Sequence, residues 1–138
     1  METLTLPARL EHLEKMVDFV LTAGEQRHFS QSVQQKLRLA AEEILVNVIS
    51  YAYPGGEGEL TITLDETPGR PGLRVEVSDS GIPFDPLAKP DPDVNAPIKD
   101  RQIGGLGIYL LKQLMDEVAY RHENDKNILT FIKYSEGG

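Results

Sequence analysis

Cysteine is absent from this 138-residue chain, which excludes disulfide scaffolds, thiolate zinc sites, iron–sulfur clusters and thiol nucleophiles. A reducing compartment is thereby permitted, and a cytoplasmic location is expected. No apolar run is long enough to span a bilayer, and the opening METLTLPARLEH lacks the shape of a secretory signal, so no membrane association is expected. Basic charge is also scarce. With 14 Lys and Arg against 22 Asp and Glu, the net charge is −8, and non-specific binding to nucleic-acid phosphates is not expected. What is present is an ordinary globular balance, 40% hydrophobic and 26% charged, in a length that suits one domain over residues 1–138.

Periodicity supplies the elements. Glu2–Leu6 alternates as a short strand ended by Pro7, and Leu10, Leu13, Val17, Val20 and Leu21 follow at helical spacing up to Gly24, which is expected to stop the helix. Ser30 or Ser32 can cap a longer helix reaching about Tyr51, with the stripe Val33, Leu37, Ala40, Ala41, Ile44 and Val48. Two alternating runs, Leu60–Leu64 and Leu73–Val77, predict an antiparallel pair. Asp79–Ile103 has no sustained period and contains five prolines, the composition of a functional lid over residues 86–103. An apolar helix from Ile108 to about Met115 and two strands, Glu117–His122 and Ile128–Tyr134 around a turn at Asn124–Asn127, close the chain. Helices covering one face of a mostly antiparallel, mixed sheet give an α+β two-layer sandwich.

Three constellations stand on these elements, each with a plain structural alternative. Glu43 and Asn47 are four apart and share a helix face, where an Asn oxygen suits magnesium and a carboxylate can accept a hydroxyl proton. The alternative is a solvated Glu and an Asn serving a local turn. Asp79-Ser80-Gly81 follows a strand directly and can receive the exocyclic amine of adenine, or simply form an Asx turn. Gly104-Gly105-Leu106-Gly107 before a helix can cradle phosphate on free N–H groups, or be a tight loop-to-helix turn. It has neither the Gly-Lys-Ser/Thr ending of a Walker motif nor the preceding strand of a Rossmann fingerprint. Between Pro54 and Asp100 there are ten acidic and four basic side chains, 4 − 10 = −6, so a polyphosphate there requires a divalent cation and backbone donors.

In this order, the three resemble the N box and the two glycine boxes of the Bergerat ATP-binding fold, shared by gyrase, heat-shock chaperones, histidine kinases and mismatch-repair ATPases. The wording Glu-x-x-x-Asn (Glu43–Asn47), Asp-x-Gly-x-Pro-Phe-Asp (Asp79–Asp85) and Gly-Gly-Leu-Gly-Ile (Gly104–Ile108) resembles the anti-sigma factor serine/threonine kinases of bacteria, from about Leu4 to Tyr134. The resemblance implies ATP and magnesium as ligands, with Asn47 holding the metal and Glu43 as the base. It implies Asp79 on adenine N6, Gly81 allowing the ring to approach, Gly105 and Gly107 facing the phosphates, and Thr130 holding the adenine through water. Arg9 matches a partner-contacting position only loosely. The implied partners are a sigma factor, sequestered by the protein, and an antagonist protein phosphorylated on serine, with a homodimer also expected. A partner-switching nucleotide-binding module without phosphotransfer is the competing expectation. His12, His28 and His122 are scattered and are expected to serve at the surface or in packing rather than as metal ligands.

Overall fold

In the computed structural model, residues 1–54, 57–83 and 105–135 are described. β1 (Glu2–Pro7) alternates exposed threonines with half-buried Leu4 and Leu6, and Pro7, lacking an N–H, closes the strand. A 3₁₀ turn at Leu10–His12 leads into α1 (Leu13–Gln26), whose Met16, Val17, Val20 and Ala23 are buried. Gly24 does not stop this helix. It lies within the last turn, where a Cβ would come within 2.2 Å of Gln34 Oε1 and 3.0 Å of the Phe29 ring, so its role is close packing against α2. The chain instead reverses at His28, which has a left-handed φ of 60°.

α2 (Gln31–Tyr51) is capped by Ser30, whose Oγ accepts from Val33 N at 3.2 Å, deciding between the two candidate serines. The expected stripe is buried from Val33 to Ile44, and Leu45 and Asn47 extend burial around the C-terminal half, while Val48 is half-buried. β2 (Glu59–Glu66) and β3 (Gly72–Asp79) form the expected hairpin. α3 (Gly105–Leu114) packs on α2, as does α1. β4 (Glu117–Glu123) and β5 (Lys126–Tyr134) complete a five-stranded sheet in the order β1-β2-β3-β5-β4. Every neighbouring pair is antiparallel, so among the described residues the sheet carries no mixed pairing.

Register decides which side chains reach the helices. Leu64 faces Val75, Val75 faces Phe131, and Val77 faces Leu129, all on the covered side and all buried. Because strand side chains alternate, Glu76 and its partner Thr130 lie on the opposite face. The β4–β5 turn is shorter than the four residues expected. Glu123 pairs with Lys126 across Asn124-Asp125, with φ of 54° and 62°, a two-residue turn of the kind that Asn and Asp tolerate. Asn127 therefore belongs to β5, directly opposite Asp79.

Candidate functional site

The C-terminal half of α2 crosses the sheet where β3 ends, and a pocket open to solvent lies between them. Ile44 and Val48 from α2, with Val77 and Leu129 from the sheet, supply apolar walls. Ile82, 51% exposed, adds an unspent apolar surface at the same pocket. Two polar groups from the sequence reading meet here. Asn47 and Asp79 both line the pocket and are nearly buried, at 8% and 6% exposure.

Asp79 is held from several directions. Its Oδ1 accepts from Gly81 N at 2.9 Å and from Asn127 Nδ2 at 3.0 Å, while Oδ2 receives no hydrogen bond among the described residues. A buried carboxylate oxygen left with spare acceptor capacity at an apolar pocket is suited to a ligand amine. The Asn47 side chain likewise has no hydrogen bond among the described residues, so its carboxamide oxygen is available to a ligand or cation.

Helical phasing separates the two adjacent glutamates. Glu43 lies about 40° around the helix from Asn47, whereas Glu42 lies about 140° away. Glu42 accordingly sits 3.4 Å from Arg38, which also reaches Glu14 of α1 at 3.7 Å. Glu43 is half-buried, and its side chain makes no hydrogen bond or ion pair among the described residues. No group of three or more His, Cys, Asp or Glu that could hold a metal occurs among the described residues; magnesium commonly takes one or two protein oxygens and fills its other positions with substrate phosphate and water. The donor chemistry of Asn47 fits that arrangement.

The loop after β3 is fastened to the end of α2. Ile82 N donates to Ala52 O at 3.0 Å, and Tyr53 OH donates to Glu59 O at 2.6 Å while accepting from Ser80 N at 2.8 Å. Burial raises the Tyr53 pKa above 10.0, the hydrogen bond from Ser80 N opposing it, so the phenol stays a neutral donor through the neutral range. Gly81 is needed for this fastening. A Cβ there would lie 2.1 Å from Ala52 O, so the approach its missing side chain permits is that of the α2 backbone; Gly81 does not itself line the pocket. Gly81→Ala is therefore expected to push the loop off α2, destabilising the fold by ~2 kcal/mol or more and weakening nucleotide binding at least about tenfold through misplacement of Asp79. Thermal melting and calorimetric titration with ADP check both effects.

Thr130 is corrected by the structure. It stands on the sheet face opposite Val77 and Leu129, away from the pocket, and its buried Oγ1 has no hydrogen-bond partner among the described residues. The residue that the sequence reading missed is Asn127, which lines the pocket and touches Asp79 directly. Its signal was the Asn124-Asp125 pair, which as a two-residue turn places Asn127 in the ladder. Gly105 and Gly107 lie in the first turn of α3, on the helix that packs against α2. The proposed lid, residues 86–103, and Gly104, Phe84 and Asp85 lie outside the described residues. Arg9 is exposed, paired with Glu57 and 3.5 Å from Glu11. Among the described residues, no helix is long and apolar enough to cross a membrane.

Fold and pocket together define an α+β two-layer sandwich with a candidate ligand site between its helix layer and its sheet. The family model of the histidine kinase-like ATPase domain matches residues 6–133. A serine/threonine-protein kinase BtrW from Bordetella bronchiseptica is 30% identical over 108 residues, covering 78% of this chain and 75% of the relative. A serine-protein kinase RsbW from Bacillus mycoides is 27% identical over 128 residues, covering 90% and 79%. The chain belongs to the histidine kinase-like ATPase domain family, on its RsbW-type serine kinase branch. Among solved structures, the RsbU and RsbW domains of a Mycobacterium tuberculosis protein share the fold at a TM-score of 0.61 and 14% identity, over 97% of this chain and 32% of that one. The Acinetobacter baumannii histidine kinase AdeS does so at 0.51 and 14%, over 99% of this chain and 69% of that one.

Proposed function

We propose that residues 1–138 act as one ATPase domain, an ATP-dependent serine/threonine protein kinase working as a cytoplasmic anti-sigma factor. Its partners under this reading are a sigma factor that it sequesters, an antagonist protein that it phosphorylates on serine, and a second copy of the chain. The observation that carries the enzymatic part is Glu43, half-buried, uncommitted to any described partner, and on the α2 face shared with pocket-lining Asn47. The printed descriptions of its relatives as serine and serine/threonine kinases point the same way.

The chain's own groups divide the work. The apolar walls take the base, and Asp79 Oδ2 accepts a hydrogen bond from its N6 amine. Asn47 is the protein ligand to magnesium, which when bound offsets phosphate charge in a region where acidic side chains predominate. Gly105 and Gly107, in the first turn of α3, present backbone N–H groups to the phosphates. Glu43 takes the proton from the substrate serine as its oxygen bonds to the γ-phosphorus and the bond to the β,γ-bridging oxygen breaks, releasing ADP. Positioning and charge stabilisation supply most of the rate, as in phosphoryl transfer generally.

Incubation with γ-labelled ATP, magnesium and a candidate antagonist protein tests the reading. Label on a serine of the antagonist is expected; saturable ATP binding without transfer would leave only the partner-switching function. The metal assignment has a separate check. Removing magnesium with EDTA is expected to weaken ATP binding by wild type at least ~10-fold, and Asn47→Ala is expected to remove most of that dependence. Calorimetry in the two buffers measures it, and equal wild-type affinities would contradict the role of Asn47.

A further inference from the structure

We propose that Asn127, fixed in orientation by Tyr120, is the specificity-determining residue that makes the pocket accept adenine and refuse guanine. The inference rests on the reading of the pocket as the site of a purine nucleotide.

Asn127 is buried and engaged at both ends of its carboxamide. Nδ2 donates to Asp79 Oδ1 at 3.0 Å and to the Ile82 carbonyl at 2.8 Å, and Oδ1 accepts from Tyr120 OH at 2.5 Å. The partners assign the amide without ambiguity. A flipped carboxamide would set its oxygen against a carboxylate and a carbonyl, and would aim its NH₂ at a hydroxyl that then has to accept. Tyr120 thus holds Asn127 with its donors toward Asp79.

The consequence for Asp79 is asymmetry between its two oxygens. Oδ1 already accepts from Gly81 N and Asn127 Nδ2, which uses its in-plane lone pairs. Oδ2 alone remains for a ligand among the described contacts. Adenine presents one amine, N6, next to an acceptor nitrogen, and needs a single acceptor. Guanine presents N1–H and the N2 amine side by side, the pattern that grips a carboxylate through both oxygens. With Oδ1 spent, that two-pronged grip is denied. Placed in the adenine orientation instead, guanine would set its O6 acceptor against the carboxylate. One neighbouring carboxamide therefore turns a side chain capable of binding either purine into an adenine reader, by exclusion as much as by attraction.

Paired calorimetric titrations with ADP and with GDP, in magnesium buffer on the full chain, test this. Wild type is expected to favour ADP. Asn127→Ala, which returns a lone pair of Asp79 Oδ1 to the pocket, is expected to narrow the ADP-to-GDP affinity ratio at least tenfold, with GDP binding becoming tighter in absolute terms. Tyr120→Phe is expected to shift the ratio a few-fold in the same direction, and it decides the matter if Asn127→Ala does not fold. A parallel loss of both nucleotides at constant ratio would show that Asn127 is merely structural and would overturn the proposal while leaving the purine site intact. Failure of wild type to bind ADP at all would overturn the underlying reading together with the proposal.

Discussion

Glu43→Gln is expected to lower phosphotransfer to serine by roughly 10²–10⁴-fold, the range a positioned general base supplies, while leaving ATP affinity essentially unchanged. Gln keeps the shape and polarity of Glu but cannot take the serine proton. The neighbouring substitution Glu42→Gln is the internal comparison, because Glu42 pairs with Arg38, which also reaches Glu14, and lies off the pocket side of α2. Its expected cost is limited to that of a part-exposed ion pair, well under ~1 kcal/mol of stability, with activity retained. Single-turnover transfer measured on both variants checks the pair. Matching activities would break the link between helix phasing and chemistry on which the catalytic assignment stands.

Asp79→Asn is expected to lower ADP and ATP affinity by about 10- to 150-fold, the loss of a charge-assisted hydrogen bond of about 1.5–3 kcal/mol. The substitution is nearly isosteric, and the contacts around it dictate its orientation. Gly81 N and Asn127 Nδ2 both demand an acceptor, so the new carboxamide has to keep its oxygen on that side. Its NH₂ then replaces Oδ2 and points one donor at another, the adenine N6 amine. Titration with ADP measures the loss, and an unchanged melting temperature would show that the loop and β5 contacts persist. Undiminished ADP affinity would remove Asp79 from the base-binding role.

Most of the covered layer was legible because amphipathic helices announce their buried face. Val33, Leu37, Ala40, Ala41 and Ile44 repeat at helical spacing, and the same phase brings Asn47 to the pocket. Asp79 was legible because it ends an alternating strand whose apolar residues share its parity: Leu73, Val75, Val77 and Asp79 are all on one face. β5 offered no such guide. In Asn127-Ile128-Leu129-Thr130-Phe131-Ile132 apolar residues occupy both faces, so alternation cannot assign the inward side, and a one-residue choice of register exchanges the faces. The resemblance implies Thr130 at the ligand, and alternation offers no check on that position. The register is set elsewhere, by the two-residue turn at Asn124-Asp125 and by the pairing of β5 with β3, a partner distant in sequence. Gly24 illustrates a different gap: a glycine near a helix end reads as a stop, but here its small size serves packing against Gln34 and Phe29.

A crystal structure of the full chain with ADP and magnesium tests the central claim most directly. The adenine is expected between Ile44 and Val48 on one side and Val77 and Leu129 on the other, with N6 donating to Asp79 Oδ2 and Asn127 still bonded to Oδ1. The phosphates are expected to run toward Asn47 and the start of α3. A nucleotide bound elsewhere, or a base in the pocket with N6 away from Asp79, would contradict the assignment.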